Sequence, residues 1–220
     1  MSSEREPAGL GPVDQQRLAT ALGLAARWHG DQVRKGTTVP YVSHLLQVAG
    51  LVLEHGGTPD LAVAALLHDV VEDTEATIDD IDAAFGPGVA AVVADCTDTL
   101  PGDRPGAKSP WRDRKAAWLE ATASLPEGSL LVAACDKRHN LASLVADARA
   151  GGGEAISPPR FSSTPAQQVW FYRSFLAAAG ERLPARLTDE LHALVAELAR
   201  EVGVDGVGPV TGAGPRNGGS

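Results

Sequence analysis

Apolar positions recur at helical spacing through most of the chain, and strand-like alternation is weak. The pattern predicts helices at 14–30, 42–55, 59–72, 77–97, 110–124, 128–148, 165–179 and 184–203. Thr58 before Pro59 reads as a cap and first turn, and Thr77 with Asp79 and Asp80 places acidic groups at a helix start. Gly86, Pro87 and Gly88 interrupt the run after Phe85, so a junction between two helices is expected there. PGDRPGAKSP (101–110) and GGGEAISPPRFSS (151–163) are loops by composition, and no internal repeat or heptad seam is present. Residues 1–12 and 204–220, broken by Gly and Pro and short of large apolar groups, are expected to be disordered tails around a single domain at 13–203.

Two stretches depart from amphipathic patterning. LAVAALLHDVVEDT, from Leu61 to Thr74, is apolar on every face for its first seven residues, as in a helix buried all round. It then runs into His68, Asp69, Glu72 and Asp73, four titratable groups within six residues. Burying unpaired carboxylates costs several kcal/mol each, so such a cluster calls for a cation, a set of donors or exposure at the helix end. A divalent metal meets that need most directly. Glu72 lies four residues after His68, on the same face and within reach of whatever a metal there holds. The second stretch, SLLVAAC (Ser129 to Cys135), ends as abruptly in DKRHN, where Asp136 and Asn140 share a face. Two buried helices ending in acid, imidazole and amide groups predict one shared polar cavity. His44, in PYVSHLLQVAG at a helix start, is the third contributor.

Each position also has a plainer reading. His44 alone fits a cap or surface group, His68 and Asp69 fit a pair at a helix terminus, and Asp136 fits a salt bridge to Lys137, Arg138 or Arg34. Arg34 and Lys35 fit a solvated charge pair at a helix end. Tyr41 fits either stacking on a base or packing, and Trp170, Phe171, Tyr172 and Phe175 fit a core face better than a substrate contact.

Composition narrows the classes. Hydrophobic residues make up 44% and aromatics only 5%, so the core is built largely from Ala, Leu and Val, which favours packed helices. A chain of 220 residues holds one domain with a sizeable core. The net charge of −9 and pI near 5.1 argue against a partner of duplex nucleic acid. Cys96 and Cys135, both in apolar helical stretches, read as buried thiols in a reducing compartment. No run is long enough to span a bilayer and the N-terminus lacks a basic and an apolar region, so a cytoplasmic protein without membrane partners is expected. The sequence leaves the oligomeric state open.

The joint pattern of a histidine, an adjacent His-Asp pair and a distant Asp resembles the HD superfamily of metal-dependent phosphohydrolases, and within it the hydrolase domain of RelA/SpoT-type alarmone enzymes of the stringent response. AARWHGDQVRKGTTVPYVSHLLQVAG (25–50), AALLHDVVEDTEATIDDIDAAFGPGVAAVVADCTD (64–98) and AACDKRHNLASL (133–144) carry it, and HDVVEDT is its most specific part. The resemblance implies an all-α fold, a compact multi-helix bundle with the metal between central helices. It implies His44, His68, Asp69 and Asp136 as metal ligands, Glu72 and Asp73 as water-activating acids, and Arg34 and Lys35 as contacts to a guanosine nucleotide. Asn140 is implied at the ribose or a phosphate oxygen, and Lys137 and Arg138 are further candidate phosphate donors. ACDKRHN departs from the ADRLHN-like string of alarmone hydrolases, and after residue 145 the likeness is to small stand-alone proteins of this branch. Two imidazoles and two carboxylates suit Mn²⁺, Fe²⁺ or Zn²⁺, and the resemblance favours Mn²⁺. The implied reaction is release of the 3′-pyrophosphate of guanosine tetra- or pentaphosphate. Its rivals are hydrolysis of another phosphorylated nucleotide or dinucleotide, a non-catalytic metal- or nucleotide-binding module, and a purely structural helical domain. Whether 150–163 closes over the site is left open.

Overall fold

A computed structural model describes residues 9–98 and 109–204, and among these the only strand-like feature is an isolated bridge between Val33 and Pro40. The helices are α1 (Pro12–His29), α2 (Val42–Glu54), α3 (Pro59–Leu67), α4 (Val70–Asp73), α5 (Ile78–Phe85), α6 (Pro87–Cys96), α7 (Trp111–Thr122), α8 (Glu127–Gly151), α9 (Pro165–Ala179) and α10 (Ala185–Glu201). Short 3-10 turns follow α8 and α9 at Gly153–Ile156 and Gly180–Arg182. The expected all-helical bundle is what the chain forms. The expected tails lie outside the described residues except at 9–12 and 204, and Pro12 already belongs to α1. The expected loop at 101–110 lies outside them up to residue 108.

The centre is α3, whose residues Ala62 to Leu67 are all buried. It packs against α1, α2, α6 and α8, so no face is left for water. Each fully buried Leu or Val contributes about 1.5–3 kcal/mol, which fixes this short helix in place. Thr58 caps it by accepting from the Leu61 amide, with Pro59 in the first turn. α8 is buried in the same way from Ser129 to Cys135 before its polar stretch begins. The junction expected at Gly86 is real: the glycine adopts φ 88 between α5 and α6, a conformation costly for any residue with a Cβ. Thr77 and Asp80 form a reciprocal cap at the start of α5.

One boundary differs in a way that matters. The helix expected at 59–72 stops at Leu67, and α4 starts afresh at Val70. His68 Nδ1 lies 2.8 Å from the Ala65 carbonyl, which can only accept, so the ring takes over a carbonyl of the last turn. Asp69 relaxes to φ −99, ψ −7, out of ideal helix geometry. The break turns both side chains toward α2 and α8.

Trp170, Phe171, Tyr172 and Phe175 of α9 are buried. Phe171 packs against Trp111 and Trp118 of α7, with ring centroids 5.9 and 6.3 Å apart. This aromatic seam walls one side of the polar cavity.

Candidate metal centre

α2 delivers His44, the α3–α4 break delivers His68 and Asp69, and α8 delivers Asp136. His44 Nε2 lies 3.4 Å from Asp69 Oδ2 and 3.2 Å from Asp136 Oδ1. His68 Nε2 lies 3.1 and 3.5 Å from the same two oxygens. Both histidines are buried, and both Nε2 atoms lack a hydrogen-bond partner despite these short approaches. His44, His68 and Asp136 each offer a ligand atom within 4.8 Å of the others, and Asp69 Oδ2 approaches both histidines from the side. Donors about 2.1 Å from one ion stand about 3.0–3.4 Å apart, so the cluster has the dimensions of a divalent metal site.

The remaining ring nitrogens fix the tautomers that such a site needs. His68 Nδ1 carries the proton that the Ala65 carbonyl accepts, leaving Nε2 to face the carboxylates. His44 Nδ1 is 2.7 Å from His139 Nδ1. Burial, with the neighbouring His44 and Arg34, pushes the pKa of His139 down to about 4, so His139 is neutral and its Nδ1 can accept from His44 Nδ1–H. The two carboxylates favour positive charge within the cluster. Burial opposes charge on His68, yet the Asp69 charge and contact with Asp136 hold its pKa well above the ordinary histidine value. Burial also opposes charge on both carboxylates, but His68 and His44 beside Asp69, and Lys137 with both histidines beside Asp136, hold their pKa values well below the usual range.

The sequence comparison accords with this geometry. Residues 21–151 match the HD domain family. The chain belongs to that family. Over 133 residues this HD domain is 37% identical to human guanosine-3′,5′-bis(diphosphate) 3′-pyrophosphohydrolase MESH1, covering 58% of this chain and 69% of that protein. It is 37% identical over 136 residues to the Xenopus tropicalis protein of the same name, covering 60% and 71% respectively. A solved structure, described as a metazoan ortholog of SpoT that hydrolyzes ppGpp and plays a role in starvation responses, superposes with TM-score 0.66 at 25% identity. That likeness covers 90% of this chain and 99% of the other.

Around the HD cluster, Tyr41 donates its hydroxyl to Asp69 Oδ2 at 2.5 Å while its ring stacks on His29 at 4.7 Å. Tyr41 thus packs on His29 and braces an acid of the cluster, and it also borders both cavities described below. Asn140 Nδ2 donates to Asp136 Oδ1 at 2.6 Å, and Arg34 Nη2 donates to Asn140 Oδ1 at 2.8 Å. Glu72 is half-buried; its Oε2 accepts from the Asp98 amide at 3.3 Å, and its Oε1 is 4.0 Å from Arg114 Nη1. Asp98, itself buried, takes Arg114 at 2.8 Å and Lys115 at 2.5 Å.

A polar chamber of about 170 Å³, bordered by His68, Asp69, Glu72 and Asp73, adjoins a cavity of about 840 Å³. Arg34, Tyr41, Asp73, Lys115, Asp136, Lys137 and Asn140 border both, and Lys35 borders the larger one. Lys137 Nζ is 3.2 Å from Asp136 Oδ2 and 4.2 Å from the centre of the Trp118 ring. Arg138 is the exception among the expected phosphate donors. It borders neither cavity and pairs with Glu190 of α10 at 3.0 Å. Two residues along a helix from Asp136 it points to the opposite side, so it is removed from the substrate contacts.

His139, Asp98, Arg114 and Lys115 were not singled out by the sequence pattern. His139 had a readable signal, three residues after Asp136 on the same helix face. The others are joined only by tertiary contact. Both cysteines are free, and burial pushes each thiol up to about 12, which leaves them unreactive. No helix among the described residues is long and apolar enough to cross a membrane.

Proposed function

We propose that this HD domain hydrolyses the 3′-pyrophosphate of guanosine tetra- and pentaphosphate, giving pyrophosphate and GDP or GTP. The observation that carries the reading is the convergent His44, His68, Asp69 and Asp136 cluster beside Glu72, adjoining a cavity rimmed by cations. The named activity of the human relative points the same way.

His44, His68, Asp69 and Asp136 would hold a divalent cation, Mn²⁺ in our reading, which when bound would acidify water and polarise a phosphoryl oxygen. Glu72 orients the attacking water and takes its proton, with Asp73, exposed at the chamber mouth, as the second acid. The water oxygen bonds to the phosphorus next to the ribose 3′-oxygen, that P–O bond breaks, and the 3′-oxygen regains a proton. The Asp98 amide and Arg114 hold Glu72 so that little reorganisation is needed at the moment of reaction. Lys137, Arg34 and Lys35 meet phosphate charge, and Asn140 links Arg34 to Asp136 beside the ribose. A free nucleotide substrate and inert thiols suit a cytoplasmic setting.

Turnover of guanosine tetraphosphate, GTP and a 2′-phosphorylated dinucleotide cofactor by the Mn²⁺-loaded protein tests the substrate. Equal amounts of GDP and pyrophosphate from the tetraphosphate, with little product from the other two, are expected. Orthophosphate from the dinucleotide in preference would contradict the reading.

Tyr41→Phe removes the hydroxyl that braces Asp69 and keeps the ring on His29. Metal affinity is expected to fall about 10–100-fold, the range for lost partners of ligand groups. A metal titration showing unchanged affinity would remove Tyr41 from this role.

A further inference from the structure

The larger cavity has a wall that the reaction above does not use. After α8 the chain makes the 3-10 turn Gly153–Ile156 and doubles back through Ser157–Ser163, where Phe161 N–H donates to the Ser157 carbonyl at 3.1 Å. From this segment the Arg160 side chain reaches three acceptors. Nε donates to the Lys35 carbonyl at 3.1 Å, Nη1 to the Ala155 carbonyl at 3.0 Å and Nη2 to Asp147 Oδ2 at 2.7 Å. Asp147 and Ala155 tie the guanidinium to its own end of the chain, so the Lys35 bond joins segments 125 positions apart.

The opposite side of that joint is the Arg34–Val39 turn, closed by Arg34 N–H to the Val39 carbonyl and Thr37 N–H to the Arg34 carbonyl. Gly36 sits in it at φ 71, and a Cβ at that position would overlap the Arg160 side chain. The glycine thus serves both the left-handed turn and the close approach of the arginine. Lys35 Nζ lies 5.4 Å from the centre of the Phe161 ring and makes no ion pair among the described residues. Arg160 itself stands 5.1 Å from the same ring. Lys35, Arg160, Phe161 and Asp147 all border the larger cavity.

We propose that Arg160 and Phe161 are positioning residues for the nucleotide: the guanidinium pins the Arg34–Val39 turn through the Lys35 carbonyl, and the Phe161 ring seats the Lys35 ammonium at the cavity edge. This rests on the nucleotide reading above. The clamp acts on binding and leaves the water-activating side untouched, because neither residue borders the chamber holding Glu72. Gly36→Ala breaks the clamp from the other side.

Two measurements test it. Hydrogen exchange on the ligand-free protein is expected to speed up at 33–39 in Arg160→Met, with exchange in α2, α3 and α8 unchanged. In turnover of guanosine tetraphosphate, Arg160→Met and Phe161→Leu are expected to raise KM about tenfold with kcat within about twofold, and Arg160→Lys to restore part of the loss. Lys35→Met is expected to raise KM too, and adding Arg160→Met to it is expected to raise KM less than Arg160→Met does in the wild type, because part of the clamp's effect runs through the Lys35 ammonium. Independent, multiplying effects of Arg160→Met and Lys35→Met would overturn the proposal, as would unchanged exchange at 33–39. A wild type that leaves the tetraphosphate intact would sink the nucleotide reading instead, while the exchange experiment still decides whether the clamp exists.

Discussion

Glu72→Gln is expected to lower the rate of pyrophosphate release by about 10²–10⁴-fold while the protein keeps its metal. Glutamine preserves the shape and can still accept from the Asp98 amide, but it cannot take a proton from water. The four donor atoms of the cluster belong to other residues and stay in place. Metal content by elemental analysis and single-turnover rates on the same sample separate the two effects. Loss of metal together with rate would make Glu72 part of the cluster and not the water-activating acid.

Asp136→Asn is expected to have the larger effect, since it strips a ligand charge from the point where α2, α3 and α8 meet. Metal retention should fall below detection and turnover to background. The rise in Tm on adding metal should vanish as well; for an ion at a thousand times its Kd that linkage is worth about 4 kcal/mol. The amide oxygen can still accept from Asn140, so the fold around α8 is kept. Thermal melts with and without added Mn²⁺ read this directly. An Asp136→Asn variant that still gains Tm with Mn²⁺ would place the ion elsewhere.

The residues most legible in the sequence are those where an apolar run meets charge. Leu61 to Leu67 carry no polar group, and Ser129 to Cys135 none after Ser129, so the groups that follow had to share a buried place. Helix ends were legible where caps were local, as at Thr58 and Thr77. The break at His68 and Asp69 was not, because it depends on a ring nitrogen reaching back to the Ala65 carbonyl, a choice that periodicity does not encode. Arg138 was misplaced for a reason the sequence did contain: two positions from Asp136 it lies some 200° around the helix, while His139 and Asn140 return to the cavity face. The Asp98, Arg114 and Lys115 group behind Glu72 and the Arg160 clamp exist only through contacts made across the fold. No spacing rule along the chain reaches them.

One sample of the Mn²⁺-loaded wild type reads both the metal site and the reaction: bound metal per chain, and pyrophosphate released from guanosine tetraphosphate. One ion per chain, pyrophosphate matching GDP in amount, and loss of both release and metal after chelation with recovery on Mn²⁺ addition are expected. Metal bound with no pyrophosphate released would contradict the reaction, and pyrophosphate released with no metal bound would contradict the site.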